Sequence, residues 1–476
     1  MPIRITASDI HRVDLSTRLP FQYGIATMTE CPHVFVRITV DIDGHTARGI
    51  AADQLPPKWF TKIPDQPLDT EIDEMLAVVT QAAQTAIGRS APTAFALWHA
   101  LWLDLSDWGR AQAFPPLLSQ FGSALVERAL IEAIARHTGQ PFHRLMREDR
   151  LGIDLGLIHS ELAGTRVADH LPRHTRNQVV ARHTVGLADP LSAQDIRAGD
   201  RLDDGLPQSL DECIDRYHLK HFKLKLSGQI ERDIQRLASI TDILENLAES
   251  NYAVSVDGNE QFQSLDGFRD FWNELTNTEC LQRLLPHLMF VEQPFHRDVA
   301  LQREPLAQMA EWTDRPLLII DESDSDLGSL QTALQLGYHG TSHKNCKGVF
   351  KSIANACLLS HRRRNNPGFT TVISGEDLAN IGPVGLLQDL AVAAALGIES
   401  VERNGHHYFA GLSQFPAAVQ QQVFQRHGDL YRPSAAGWPS LDIQQGTLNL
   451  TSVNQAPLGL GFVLDVEQFS PVAEFR

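Results

Sequence analysis

Charged side chains lie at the ends of a series of short apolar runs between residues 221 and 346. Such groups are costly to bury unless they meet partners, so we expect them to converge on one place. They are Lys223 and Lys225 in HFKLKLSG, Asp257 in YAVSVDGN, Glu292 in LMFVEQP, Asp321 in PLLIIDES and Lys344 in HGTSHKNC.

The three carboxylates of this set indicate a cation site. Carboxylates that face one another raise each other's pKa, and a divalent cation relieves that repulsion. Three hard oxygen ligands suit Mg²⁺, whereas zinc would recruit histidine or cysteine. We therefore predict that Asp257, Glu292 and Asp321 bind Mg²⁺.

The lysines indicate proton transfer. Lys223 and Lys225 are two residues apart and share one face of a strand. We expect their mutual repulsion and a nearby cation to lower a lysine pKa from ~10.4 towards the ~7–8 of a general base. Lys344 comes four strands later, on the opposite side of a ring of eight. A cation between two lysines favours removal of the proton next to a bound carboxylate, giving an ene-diolate.

The elements around these residues predict a barrel. From about residue 178, short apolar runs alternate with helical segments, which is typical of parallel strands joined by right-handed crossovers. About eight such units predict a closed (β/α)8 barrel, whose active site lies at the carboxyl ends of the strands. The fold class is therefore α/β, with a smaller α+β domain in front of the barrel.

The first third of the sequence predicts that smaller domain. Residues 33–50 alternate apolar and polar side chains on both sides of Asp43-Gly44, which indicates a hairpin. Helical spacing follows over 70–88, 91–106 and 122–138.

Two later segments set the expected boundaries. Residues 142–177 show no period and are interpreted as a long connection, while 446–465 are strand-like and are expected to return to the first domain. We predict a capping domain over 1–120, a barrel over 121–440 and a returning tail over 441–476.

Five motifs in this order resemble the enolase superfamily, in its mandelate racemase/muconate lactonizing enzyme branch. They are KLK at 223–225 for the branch's KxK, VDGN for its DxN signature, VEQP, IDES, and HKNCKG for the sixth-strand lysine segment. The resemblance implies Asp257, Glu292 and Asp321 as Mg²⁺ ligands and Lys225 as the base. Lys223 would then tune that base, and Lys344 would serve the other face of the substrate.

The resemblance also suggests substrate contacts. Asn259 lies beside the third-strand aspartate, Gln22 and Tyr23 lie in a capping segment that would close over the barrel mouth, and His406 follows the eighth strand. Lys347 and Lys351 are alternatives to Lys344.

The sequence also departs from the family pattern. The sixth-strand motif has a single glycine, strand eight lacks the DxD of dipeptide epimerases, and strand seven, VISGED, lacks the histidine of mandelate racemase.

Composition excludes several other roles. The net charge of −17 argues against nucleic acid or an anionic membrane as a partner. No signal-like start or long apolar stretch is evident, and the five cysteines show no CxxC spacing. We expect a cytoplasmic homo-oligomer that acts on a small carboxylic acid.

Several activities remain open at this stage. Racemisation or epimerisation, cycloisomerisation and dehydration of an acid sugar all share removal of an α-proton. A Schiff-base aldolase, in which one barrel lysine attacks a carbonyl, is an alternative within catalysis. A non-catalytic binding protein on the same fold is an alternative outside it.

Overall fold

The computed structural model describes residues 2–248 and 251–472. Its sixteen strands form an antiparallel capping sheet, a closed barrel sheet and a small hairpin. The strands are β1 (Ile3–Tyr23), β2 (Ala26–Ile42), β3 (His45–Gln54), β4 (Ser90–Ala91), β5 (Gln178–Val185), β6 (His221–Lys225), β7 (Ala253–Asp257), β8 (Leu288–Glu292), β9 (Leu318–Ile320), β10 (Gly340–His343), β11 (Val372–Gly375), β12 (Ser400–Arg403), β13 (Tyr431–Pro433), β14 (Pro439–Leu441), β15 (Thr447–Asn449) and β16 (Ser470–Pro471).

Fifteen α-helices accompany these strands in the described ranges. None of them has the length and apolar character needed to cross a membrane. They are α1 (Leu68–Ala86), α2 (Ala94–Ala111), α3 (Pro116–Ser119), α4 (Phe121–Thr138), α5 (Phe142–Arg147), α6 (Leu210–Tyr217), α7 (Ile230–Leu247), α8 (Leu265–Asn277), α9 (Arg297–Ala300), α10 (Ser329–Leu336), α11 (Val349–Asn365), α12 (Gly385–Leu396), α13 (Gly405–Tyr408), α14 (Ala417–Arg426) and α15 (Thr451–Gln455).

The predicted barrel is confirmed. Strands β5 to β12 pair in parallel in chain order, and β12 pairs back to β5 to close the ring. The carboxyl ends of all eight strands therefore meet at one mouth. On the outside, β15 pairs antiparallel with the start of β5.

The predicted capping hairpin is also confirmed. Strands β2 and β3 flank Asp43 and Gly44, whose φ angles of 51° and 82° fit a two-residue turn. The capping sheet runs β16-β1-β2-β3, so the last strand of the chain lies beside the first. The N-terminal α+β region thus forms a cap, completed by the tail.

Helix α4 packs closely on the capping sheet. A Cβ on Gly49 of β3 would lie 2.0 Å from the carbonyl oxygen of Ala129 in α4, so only glycine fits there. Beside it, the buried guanidinium of Arg128 donates to Asp53 at 2.7 Å, and Asn380 of the barrel donates to the same carboxylate at 2.8 Å. Asn380 therefore links the barrel to a buried ion pair between β3 and α4.

Two stretches differ from the sequence expectation. Residues 142–177 are an ordered segment of α5 and short 3₁₀ turns with buried leucines such as Leu155 and Leu162, and single turns carry no helical period. In 446–465 only Thr447–Asn449 is a strand. Helix α15 follows, and Pro457 and Gly459 then interrupt regular structure.

Candidate active site

Lys223 lies at the centre of the barrel mouth. It belongs to the buried strand β6, and its side chain points inward with the alternation of the strand. Its Nζ atom is within 3.0 Å of four carboxylates from four other strands or strand ends. These are Asp257 at 3.0 Å, Glu292 at 2.9 Å, Glu376 at 3.0 Å and Glu402 at 3.0 Å.

Lys225 lies two residues further along the same strand, beside the cavity of the mouth. Its Nζ donates to Oδ2 of Asp257 at 2.6 Å. The other carboxylate oxygen of Asp257 accepts from the backbone N–H of Asn259 at 2.9 Å. Lys225, Asp257 and Asn259 all line the cavity. The structure therefore brings the predicted lysine pair and the first predicted carboxylate together.

A compact carboxylate cluster lies next to this wall. Glu292 ends β8, Asp321 follows β9 and Glu376 follows β11, and all three are buried. One oxygen of each lies within 4.8 Å of the others. Asp257 is directed to the lysines, so the compact cluster contains two of the three predicted ligands together with Glu376.

The far wall is formed by Lys344, after β10. Its Nζ lies 2.5 Å from Oδ2 of Asp321 and 3.2 Å from Oε2 of Glu376. The ring of Trp59, from the cap, lies over this ammonium with its centroid 4.7 Å away. Strands β6 and β10 are four apart in a ring of eight, so Lys225 and Lys344 face each other across the carboxylates.

Lys347, the alternative to Lys344, also contacts the cluster. Its Nζ donates to Oδ1 of Asp321 at 2.7 Å and to the hydroxyl of Ser342 at 2.8 Å. Lys347 is absent from the cavity lining, whereas Lys344 belongs to it. Lys351 is further removed, since it binds Asp324. Lys347 thus holds Asp321 from behind and Lys344 faces the cavity.

Two glutamates of the mouth were not assigned from the sequence. Glu376 lies in VISGED and binds Arg182 at 3.2 Å, while Glu402 lies in IESVERN and accepts from the hydroxyl of Thr184 at 2.6 Å. The available signal was the same one that identified Asp257, a carboxylate at the end of an apolar strand. These two strands lack the histidine and DxD motifs of the known branches, but each carries this carboxylate signal.

Burial and neighbouring charges set the pKa values in the mouth. Burial lowers the pKa of Lys223, but the surrounding carboxylates outweigh it and hold that pKa well above the usual value. Burial also lowers the pKa of Lys344, but the negative charges of Asp321 and Glu376 outweigh burial and raise that pKa well above the usual value. The predicted lowering of a lysine pKa depends on a nearby cation as well as on lysine–lysine repulsion. Among the protein groups alone, the carboxylates around Lys223 outweigh its lysine neighbour.

Glu292 shows the opposite effect. Burial raises its pKa well above the usual value, and the negative charge of Glu376 raises it further. Both of its carboxylate oxygens lie 2.9 Å from Nζ of Lys223. A cation beside this group would relieve the remaining repulsion between Glu292 and Glu376.

The residues present fit a hard divalent cation. The cluster offers carboxylate oxygens from Glu292, Asp321 and Glu376, with Asp257 adjacent, and no histidine or cysteine lines the described cavity. This donor set suits Mg²⁺ rather than zinc. The crowded carboxyl of Glu292 is the structural observation that favours a cation here.

The cap closes the mouth with two segments. From the predicted segment, Phe21 and Tyr23 line the cavity, and the Tyr23 hydroxyl donates to the carbonyl of Pro57 at 2.7 Å. A second segment contributes Pro56, Lys58, Trp59 and Lys62, which the sequence analysis did not identify.

Gln22 and His406, two of the predicted substrate contacts, are not among the lining residues described. His406 instead contacts His183, with Nε2 3.2 Å from Nδ1.

Arg297 fixes the second cap segment. Its guanidinium donates to the carbonyls of Trp59 at 3.0 Å and Phe60 at 2.7 Å, and it binds Glu260 at 2.7 Å. Glu260 also binds Lys62 of the cap at 2.7 Å. The barrel therefore holds the cap segment that places Trp59 over Lys344.

Comparisons with solved structures agree with the geometry of the fold. The chain is similar to 2-chloromuconate cycloisomerase from Rhodococcus opacus 1CP, with a TM-score of 0.61, 16% identity, and coverage of 98% of this chain and 99% of that one. Muconate lactonizing enzyme from Pseudomonas fluorescens gives a TM-score of 0.59, 18% identity and 98% coverage of both chains.

N-succinyl Arg/Lys racemase from Bacillus cereus ATCC 14579 gives a TM-score of 0.55 at 15% identity, covering 95% of this chain and 98% of that one. No family model and no curated protein matches the sequence. At these identities the comparisons show a shared fold over nearly the whole chain, including the cap.

Proposed function

We propose that this chain is an enzyme of the enolase superfamily, in the branch of the muconate lactonizing enzymes and mandelate racemase. It would remove the proton next to a substrate carboxylate, with a divalent cation bound at the mouth. The observation that carries this proposal is the buried carboxylate cluster of Glu292, Asp321 and Glu376 between two lysines on opposite barrel strands. The fold comparisons supply further support, because the matched structures are named as cycloisomerases, lactonizing enzymes and racemases.

The ion would be held by Glu292 and Asp321 with Asp257 or Glu376 and, when bound, it would polarise the substrate carboxylate as a Lewis acid. Mg²⁺ is the ion that this oxygen donor set favours. The residues of the chain would then supply binding, orientation and proton transfer.

Lys225 is the group proposed to take the α-proton. Lys225 lines the cavity, and its ammonium contacts the carboxylate of Asp257. The ammonium of Lys223 is instead enclosed by four carboxylates. The four carboxylates hold the pKa of Lys223 well above the usual value, so this lysine keeps its proton. Neutral Lys225 would accept the proton as the C–H bond breaks, and the electron pair of that bond would pass into the carboxylate as an ene-diolate.

Lys344 would act on the other face. Its raised pKa keeps it protonated, so it can donate a proton or stabilise negative charge. Donation to the same carbon gives racemisation or epimerisation. In cycloisomerisation or elimination, Lys344 would serve as the charged group opposite the base. All of these outcomes share proton transfer at the carbon next to the carboxylate.

The substrate we propose is a small carboxylic acid with an apolar portion. The carboxylate would bind at the acidic cluster through the cation, and the remainder would pack against Phe21, Tyr23, Met28 and Trp59 of the cap. Strand β12 carries Glu402-Arg403 in place of a DxD motif, which disfavours a dipeptide with a free amino group.

The decisive experiment is α-deuteration in D₂O. The protein is incubated with Mg²⁺ and a library that contains muconolactones, N-acyl amino acids, dipeptides and hydroxy acids, and deuterium uptake is read by mass spectrometry and NMR. We expect uptake that EDTA abolishes and that falls by about 10²–10⁴-fold in Lys225→Gln. Lys220→Gln is the control, because this lysine precedes the same strand but does not line the cavity.

Other results would contradict the proposal. Uptake that survives EDTA would refute the cation, and uptake that survives Lys225→Gln would refute the assigned base. Borohydride trapping of a substrate adduct would support the Schiff-base aldolase. Binding of an acid with no exchange would support a non-catalytic binding protein.

A further inference from the structure

A second group of ligand-type side chains lies outside the barrel mouth. His183 belongs to β5, Cys213 to α6 and His407 to α13, and all three are buried. One ligand atom of each lies within 4.8 Å of the others. None of the three lines the cavity that contains the lysines. The proposed reaction leaves this cluster unexplained.

The ring nitrogens of the two histidines are oriented as in metal sites. Nδ1 of His407 lies 3.7 Å from the sulfur of Cys213, while its Nε2 faces the carboxylate of Asp189 at 4.0 Å. Nδ1 of His183 faces Nε2 of His406 at 3.2 Å, which leaves its own Nε2 for a ligand role. The outer nitrogen of each histidine thus faces a polar atom, a carboxylate oxygen for His407 and an imidazole nitrogen for His183.

The outer partner Asp189 is itself held in place. It accepts from the backbone N–H of Gly186 at 2.7 Å and from the hydroxyl of Tyr408 at 2.6 Å. Its orientation is therefore fixed before any ion binds. Asp189 therefore places a fixed carboxylate 4.0 Å from Nε2 of His407.

The cluster is shielded from water. His183 and His407 are each 2% exposed, and Cys213 is fully buried. Nδ1 of His406 is buried and has no hydrogen-bond partner among residues 2–248 and 251–472. Several imidazoles are thus packed together at a desolvation cost that a metal would offset.

We propose that His183, Cys213 and His407 form a zinc site that joins the two ends of the barrel sheet. A Zn–S bond of ~2.3 Å and Zn–N bonds of ~2.0 Å in tetrahedral geometry place sulfur and nitrogen roughly 3.5 Å apart, close to the 3.7 Å between Cys213 and His407. Two imidazoles and a thiolate select zinc over Mg²⁺. Three protein ligands leave the fourth position to water.

The place of the site in the fold gives it a structural role. His183 pairs with Arg403 where β5 meets β12, the seam that closes the barrel. His407 lies just beyond β12, and Cys213 lies on the helix that leads to β6. An ion held by all three would link the first barrel strand to the last and to the crossover between the first two strands.

The test is metal analysis of the full-length protein purified without added chelator. We expect about one equivalent of zinc per chain, and a thiolate-to-metal absorption band when cobalt replaces zinc. Cys213→Ser should abolish the band and the tight binding, and Asp189→Asn should weaken binding by about 10–100-fold. Cys31→Ser is the matched control, because Cys31 is equally buried but lies in the cap.

Two further measurements keep the test decisive. Zinc retained in Glu292→Gln would locate it away from the mouth, as proposed, and zinc lost there would overturn the assignment. If Cys213→Ser does not fold, alkylation of the wild-type protein replaces it. Cys213 should be alkylated faster after a chelator has removed the zinc. An unchanged rate of alkylation would refute the proposal. A zinc content far below one equivalent per chain would refute it as well.

Discussion

Lys223 provides the sharpest test of the electrostatics at the mouth. Replacing it with methionine keeps the length of the side chain but removes the positive charge enclosed by Asp257, Glu292, Glu376 and Glu402. Without a cation, the carboxylates then repel one another inside the barrel. We expect Lys223→Met to be strongly destabilised in the presence of EDTA.

The size of the effect follows from the distances. At 3.0 Å and an effective dielectric constant of ~20, one ammonium–carboxylate pair attracts by about 5–6 kcal/mol. The desolvation cost of Lys223 offsets part of this attraction, and removing one partner of a buried pair typically costs about 3–5 kcal/mol. With an unfolding entropy of about 2.1 cal/mol/K per residue over 476 residues, this loss lowers Tm by roughly 3–5 °C.

Calorimetry or thermal-shift measurements with EDTA and with Mg²⁺ test this expectation. Mg²⁺ at about 100 times its Kd should return about 2.7 kcal/mol, and the variant should gain more from Mg²⁺ than the wild type because the cation replaces the lost ammonium. Lys220→Met is the control. An unchanged or higher Tm for Lys223→Met in EDTA would show that the carboxylates do not need this charge.

Three further predictions test other parts of the structure. Arg297→Ala should release the cap segment around Trp59 and raise hydrogen exchange in residues 55–66. Arg283→Ala, which removes an exposed ion pair, is the control and should leave that exchange unchanged. Equal exchange in the two variants would show that Arg297 does not hold the cap segment. Glu292→Gln should weaken Mg²⁺ binding in calorimetric titration by more than ~10-fold, since a neutral ligand replaces a charged one, while the exposed Glu304→Gln should leave it unchanged. Burial lowers the pKa of His33 to about 3, so its contribution to stability is complete above pH ~6.5 and falls as the pH drops towards 3, by about 2 kcal/mol between pH 7 and 5. In His33→Phe, denaturant unfolding should show a shallower loss of stability over this range, and an unchanged slope would contradict the assignment.

The barrel was predictable because its signal is local and repeated. Most strands from β5 to β12 contain a short apolar run and lead to a helix, and parallel pairing in chain order follows from that alternation. The sequence of β10, GTSH, is not apolar, so this strand is indicated by its place in the series. The lysine pair was identifiable for the same reason, since the spacing of Lys223 and Lys225 fixes their common direction on a strand.

Distances across the mouth were less predictable. The sequence places Asp257, Glu292 and Asp321 on neighbouring strands, but side-chain contacts decide which oxygens meet. Lys225 binds Asp257, so Glu376 from the far side of the ring completes the compact cluster. The capping segment around Trp59 was not predicted either, because a loop position set by Arg297 leaves no periodic trace in the sequence.

The pairing of β16 with β1 has a consequence for the order of synthesis. Ser470 lies opposite Arg12, so the ribosome delivers these two neighbouring strands of the capping sheet roughly 460 residues apart. Near β16, the ring of Phe469 stacks on Phe35 with centroids 4.6 Å apart. The strands β5 to β12 therefore leave the ribosome before the cap can gain its last edge. We therefore expect the nascent barrel to fold beneath a capping sheet that still lacks β16.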